Sequence, residues 1–374
     1  MKAIVVHSSL NTCGGAARVS LHIIRFLQER GYGVELLVSE PTKWHLVKKL
    51  VGINIKPIKE NNVLSFGIKF FGIYMRLLVG LAANAYIGKY DIVINTYGDA
   101  MIVPADITYI HFPALALYGE EYISKYRGVF WSLYFAPYRI INSLLKDRAY
   151  RSTVILTNSR FSADAIKKTL GKKAIVVHPP VDIDIPAPDR NMKEDVVIYV
   201  ARYSEDKKSW YMNYIAKLLP DIKFICIGRA QGRDRRIYRR CIEIQRKLKI
   251  RNIKFYANLP RSKVIDLLLK AKVYLHLMPY EHFGIAPLEG MAAGAIPIVH
   301  KISGAYTDIL EEGKYGYGFR RLDPHEIADL VEKAINSWNT AYIKKARDHI
   351  RKFRPAVFYK KFEKIIDKVE KTQE

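Results

Sequence analysis

Residues 278–299 read MPYEHFGIAPLEGMAAGAIPIV, and this stretch decides the fold. It starts at the end of 273–278, an apolar run with the length of a strand covered on both faces. A polar loop leads to 287–293, a short helical segment ended by Gly294, and then to a second strand-like run, 296–300. Working outward, 196–201, 223–228 and 253–257 read as further strands and 261–270 as a helix. Towards the N-terminus, 3–7 and 34–38 are strands joined by a helix over 16–30, with Gly31 as its C-terminal cap. Runs 91–95, 107–110 and 153–157 continue the series. Between the two halves lies 178–195, HPPVDIDIPAPDRNMKED, whose four prolines suit a linker. The expected fold class is therefore α/β, with two Rossmann-like domains facing a cleft. The expected boundaries are 1–187 and 188–350. The charged stretch from Asn339 reads as helical and broken near Pro355, and 351–374 is expected to return as a helix to the N-terminal domain.

Within the opening stretch, Glu281 belongs to the loop after a strand and Glu289 to the following helix. Between them Phe283, Gly284 and Ile285 open that helix. A helix N-terminus carries unpaired N–H groups and a positive dipole end, so it suits a diphosphate. Gly284 permits close approach of backbone to ligand. Carboxylates on either side can bind the hydroxyls of a sugar. Isolated from this setting, two acids in a strand–loop–helix unit would be merely solvated. After the strand 196–201 comes ARYSEDKKS, residues 201–209, where Arg202 supplies a planar fork and Lys207 or Lys208 a point charge for phosphate oxygens. A helix is expected over 210–219, and the residues alone leave the choice between Lys207 and Lys208 open. NTCGG, residues 11–15, stands between the first strand and first helix, and it is not the GxGxxG of a dinucleotide site. YIHFP, residues 109–113, places His111 after a short strand.

These motifs together resemble the GT-B glycosyltransferases of family 4, whose mark is Glu-x7-Glu. The resemblance implies that Glu281 contacts the transferred sugar and Glu289 the ribose. It implies that Arg202 and Lys208 clamp the donor diphosphate, with Lys207 the other candidate for the lysine. It implies that the backbone at Gly14 and Gly15 approaches the donor phosphates and that His111 orients the reacting centre. YIHFP, the GEE at 119–121 and VHPPVD at 177–182 are similar to the mannosyltransferases that extend lipid-linked oligosaccharides. That subfamily implies GDP-mannose as donor and a lipid-linked or oligosaccharide acceptor. The family implies retention at the anomeric carbon, and with no carboxylate evidently placed as a nucleophile, front-face departure and attack are expected. A UDP-sugar transferase with a soluble or surface-polysaccharide acceptor is the alternative within the same fold. Two departures stand out: Gly304 lies between Ser303 and Ala305 where the family often has Gly-Gly, and Ser209 replaces a glycine after Lys208. The Asp182-Ile183-Asp184 triplet sits among linker prolines, so neither a metal nor any other cofactor is expected; Arg202 and a lysine neutralise the diphosphate instead.

Composition narrows the partners. The chain of 374 residues has 61 Lys and Arg against 36 Asp and Glu, a net charge of +25. The excess peaks over 229–251, RAQGRDRRIYRRCIEIQRKLKIR, which reads as an anion-facing surface or as a solvated helix face. No nucleic-acid module accompanies it, and none is expected as a partner. A Lys-, Arg- and Ile-rich composition also fits a thermophile, where charge serves stability. The run 63–87 is interrupted by Lys69 and Arg76, too short for a span of ~20 apolar residues. Aromatic and basic residues interleave over 66–76 and 126–151, suiting either core helices or peripheral contact with an anionic membrane. Cys13, Cys226 and Cys241 have no metal-ligand spacing and read as reduced thiols of a cytoplasmic protein.

Overall fold

The apolar runs form two all-parallel sheets in a computed structural model, which describes residues 1–66, 72–99, 101–113, 128–150, 153–181, 183 and 185–373. The chain divides into two compact units, Met1–Pro180 with Pro355–Glu374, and Val181–Arg354.

The first unit contains β1 (Lys2–Val6), α1 (Gly15–Glu29), β2 (Gly33–Val38), α2 (Trp44–Val51), β3 (Lys59–Asn62), α3 (Gly72–Ala83), β4 (Ile92–Asn95), β5 (Ile107–Ile110), α4 (Val129–Ala149), β6 (Val154–Thr157), α5 (Arg160–Leu170) and β7 (Ile175–Val176). Its sheet order is β3-β2-β1-β4-β5-β6-β7. Alternation along β1 sends Ala3 and Val5 to the face covered by α1, while Ile4 and Val6 meet Val79 and Ala83 of α3 on the other. The central strands of the doubly wound sheet are thus apolar on both sides, which is why the sequence shows runs there and not alternation.

The second unit contains β8 (Glu194–Val200), α6 (Met212–Leu218), β9 (Lys223–Gly228), α7 (Asp234–Lys247), β10 (Ile253–Ala257), α8 (Arg261–Lys270), β11 (Ala271–His276), α9 (Ile285–Ala292), β12 (Ile296–His300), β13 (Tyr317–Phe319), α10 (Pro324–Ser337) and α11 (Thr340–Ile350). Its sheet order is β10-β9-β8-β11-β12-β13. The last helix, α12 (Pro355–Gln373), belongs to the first unit. Phe358, Phe362, Ile366 and Val369 complete the core around α1, and Arg30 holds Asp367 at 2.6 Å and Glu370 at 2.8 Å.

The proline-rich stretch belongs largely to the second unit. Val181 and Ile185 are buried in its core, the Val181 N–H donates to the Phe353 carbonyl, and Arg347 bonds the carbonyls of Ile185 and Pro186. The divide therefore falls at 180/181 and 354/355, against 187/188 and 350/351 expected from composition. Composition registers the prolines but not the two apolar side chains between them that anchor the segment. The expected helix over 210–219 starts instead as a 3-10 turn, Ser209–Tyr211, before α6. The strand expected at 273–278 ends at His276, because the chain there turns into the loop that carries Glu281.

Candidate active site

The loop from β11 to α9 is pinned at several points. Tyr280, in the left-handed region, donates its N–H to the Ile302 carbonyl at 2.8 Å. Gly304 donates to the Glu281 carbonyl at 2.7 Å. Gly284 has φ +103, and an added Cβ would lie 3.0 Å from that of Ala305, so both conformation and space demand glycine. Gly290, further along α9, sits against the ring of buried Tyr274, where a Cβ would come within 2.5 Å. No side chain caps the N-terminus of α9, which leaves its first N–H groups for a ligand. Phe283 faces inward, 4% exposed and edge-on to Phe353, so only its backbone is placed for binding.

Both acids of the Glu-x7-Glu motif are already engaged. Glu281 Oε2 accepts from Lys207 Nζ at 2.7 Å and lies 3.0 Å from His276 Nε2. Burial pushes the Glu281 carboxyl up, but the Lys207 charge and the His276 hydrogen bond outweigh it and hold the group well below the usual carboxylate range. Burial lowers the His276 pKa, with the Glu281 hydrogen bond and charge opposing. Glu289 is gripped by Arg261 through two bonds, of 2.7 and 3.1 Å. Such a fork-to-carboxylate pair fixes the plane of the acid and leaves lone pairs for two hydroxyls.

The cations expected at the diphosphate separate into two kinds. Lys207 is committed to Glu281 and also approaches the Met278 sulfur at 2.9 Å. Lys208 adopts φ +53, and its Nζ lies over the Trp210 ring at 5.3 Å with no ion pair among the described residues. Arg202, exposed after β8, likewise has none. Of the two lysines, Lys208 is therefore the one with its charge available.

In the first unit, Gly14 caps α1 without a side-chain bond, and a Cβ there would meet nothing within 4 Å. Gly15 is the first residue of that helix. No side chain therefore covers this turn from the Cβ side of Gly14. His111 is 8% exposed. Its Nε2 lies 3.2 Å from the Thr96 carbonyl, and Asp99 Oδ1 accepts the backbone N–H groups of His111 and Phe112 at 2.5 and 3.1 Å. A carbonyl only accepts, so the neutral ring carries its proton on Nε2 and presents Nδ1 as the free acceptor. Burial lowers the His111 pKa, with Asp99 opposing. His7, at the end of β1, joins the cluster, its Nδ1 within 3.0 Å of Thr96 Oγ1 and 2.9 Å of Ser20 Oγ. Burial and the nearby His111 and Arg76 push its pKa down to about 3. Among the described residues, His7 Nε2 has no partner.

Several of these residues escape sequence reading. Arg261 looks like a surface residue beginning a helix, and His276 like a lone polar residue in an apolar strand. The usable signal for His276 is its polarity in VYLHLM, five residues before Glu281. His7 carries none beyond following the first strand, and Asp99, in the loop between β4 and β5, carries none. Several expected features lie wholly or partly outside the described residues: Gly119–Glu121, Asp182 with Asp184 of the DxD triplet, 67–71 of the aromatic and basic stretch 66–76, and 126, 127 and 151 of the stretch 126–151.

Residues 13–185 match Glycosyltransferase Family 4, and residues 180–352 match Glycosyl transferases group 1. A Dictyostelium discoideum protein named GDP-Man:Man(3)GlcNAc(2)-PP-Dol alpha-1,2-mannosyltransferase is 23% identical over 64% of this chain and 50% of its own length. The alpha-1,3/1,6-mannosyltransferase alg2 of Schizosaccharomyces pombe is 25% identical over 90% of this chain and 74% of its own. The chain spans about half the length of the first curated relatives it matches. Sucrose-phosphate synthase from Thermosynechococcus elongatus superposes with a TM-score of 0.76 at 12% identity, covering 99% of each chain, and so shares the fold. With both halves matched and each half built on its own parallel sheet, this chain belongs to the family 4 group of GT-B glycosyltransferases.

Proposed function

We propose that this protein transfers mannose from GDP-mannose to a lipid-linked glycan, with retention at the anomeric carbon. The observation that carries this reading is the pair Glu281 and Glu289 flanking the uncapped N-terminus of α9, each acid oriented by its own cation. The names of the relatives supply the donor and the acceptor class. On this reading, Glu289 takes the ribose hydroxyls and Glu281 the sugar, while the α9 amides, Arg202 and Lys208 receive the charge that develops on the departing diphosphate. Glu281 suits sugar orientation better than covalent attack, because one of its oxygens is shared by a lysine and an imidazole. Catalysis is then positional and electrostatic, with no metal in the scheme.

Among the described residues no helix is long and apolar enough to cross a membrane. Helix α4 does expose Phe130, Leu133, Ile140 and Leu144, 63–75% accessible and spaced to share one side, while Phe135 and Tyr138 pack inward on α3. This stripe favours peripheral attachment to a lipid surface over the reading of 126–151 as core alone.

Comparing thermal stabilisation by GDP, UDP and ADP, and then measuring mannose transfer from GDP-mannose, tests the proposal. GDP should stabilise most, and Glu281→Gln should abolish transfer while the protein stays folded. Stabilisation by UDP alone would move the assignment to the UDP-sugar alternative.

A further inference from the structure

We propose that His276 is a positioning residue for sugar transfer, donating through Nε2–H to Glu281 so that the second carboxylate oxygen is aimed at the sugar. This deepens the reading of Glu281 as the sugar-facing acid and rests on it. His276 is 2% exposed at the end of β11, with Tyr199 edge-on at 5.8 Å between ring centroids and Tyr274 stacked at 6.4 Å. Among the described residues the ring makes one hydrogen bond. Nε2 is 3.0 Å from Glu281 Oε2, and Nδ1 is buried with no hydrogen-bond partner among the described residues. An ionised carboxylate can only accept, so Nε2 must hold the proton and Nδ1 the lone pair. That excludes His276 from acting as a base on the substrate, since its only free lone pair faces the core. Its contribution is to fix the carboxylate plane.

Lys207 alone would not do this. An ammonium on a flexible stem is a point charge and tolerates rotation of the carboxylate about it. A planar donor on a rigid strand does not. The device is tied to its neighbours, since the Tyr199 hydroxyl donates to the Lys207 carbonyl at 2.6 Å and so anchors the turn that delivers Lys207. The titratable groups around Glu281 are Lys207 from that turn, His276 and Tyr274 from β11, and Tyr199 from β8. The two donors share Oε2, and no hydrogen bond or ion pair occupies Oε1 among the described residues.

The test uses the full-length protein with His276→Leu, His276→Gln and Glu281→Gln. Gln places an N–H donor close to the position of Nε2; Leu keeps bulk and removes the donor. His276→Leu should lower kcat for GDP-mannose roughly ten- to hundred-fold, with the dissociation constant of GDP alone unchanged, because Glu289 and the phosphate groups do not touch His276. Its activity should also fail at higher pH on the acid side, because Glu281 loses a bond that favours the charged form. His276→Gln should recover most of both effects. In the unaltered protein, nitrogen NMR should find the neutral Nε2–H tautomer of His276 across about pH 5–8, the range in which an ordinary histidine titrates. A proton on Nδ1 would overturn the proposal. So would a His276→Leu enzyme with full turnover, or Gln and Leu variants equally slow with an unmoved acid limb. If Glu281→Gln itself kept full turnover, the underlying assignment of Glu281 would fall as well; if Glu281→Gln were inactive and His276→Leu active, only the role of His276 would.

Discussion

Glu289 and Arg261 are matched as a two-pronged pair, and what that pair does differs from what Lys207 does for Glu281. Arg261 is half exposed, so its bond to Glu289 adds little to stability. Removing the acid should instead show in binding. Glu289→Ala is expected to weaken GDP by about ten- to a hundredfold, the worth of a charge-assisted hydrogen bond, measured by calorimetry. Lys207 and Glu281 are both largely buried, and Lys207→Met strands a carboxylate. The expected loss of stability is roughly 3 kcal/mol, at the low end for breaking a buried pair, read from urea unfolding. His7 gives a pH signature. Its folded pKa, about 3, lies below its unfolded value near 6.5, so only the unfolded chain takes up the proton in between. This stability is fully present above about pH 6.5 and is lost as pH falls towards 3. The melting temperature should therefore decline across that window, and less steeply in His7→Asn. An equal slope in both proteins would remove His7 as the cause.

Short elements position these side chains, and their glycines are the sensitive points. Gly284→Ala forces a Cβ onto a positive φ and against Ala305, which should cost about 1–3 kcal/mol and lower activity. Gly290→Ala drives a methyl into the Tyr274 ring and should destabilise the second unit without altering any charged group, so denaturation rather than the pH profile will report it. Much of this level was legible beforehand. Strands β5, β9, β10 and β12 were readable to the residue, because parallel strands in such a sheet are predominantly apolar runs. Strand β3 was not, since KENN at the sheet edge carries polar side chains that look like a loop. Helix α4 is hard to read for another reason: Pro137 interrupts it, and its apolar residues lie both towards α3 and towards solvent. Phe130→Ser with Leu133→Ser should reduce sedimentation with anionic vesicles and leave the melting temperature unchanged. Undiminished sedimentation would argue against α4 as the attachment surface.

The family and the two-unit division were legible from the succession of strands and the paired motifs along the chain, although identity to the longer-matched relatives is only 23% and 25%. The identities of the helper residues were not, because a buried ion pair or a capping carboxylate joins positions far apart in the chain. Arg261 meets Glu289 across 28 residues and Lys207 meets Glu281 across 74. The return of α12 is a further dependence between distant parts. Phe358, Phe362 and Ile366 fill the core of the first unit, so a chain ending at Arg354 should lose that unit's cooperative unfolding. The most direct test of the whole account is a crystal structure of the protein with GDP. The diphosphate should rest on the first amides of α9, with Glu289 on the ribose hydroxyls and Arg202 and Lys208 on phosphate oxygens. GDP bound away from α9, with Glu289 still closed on Arg261 and no contact to the nucleotide, would contradict it.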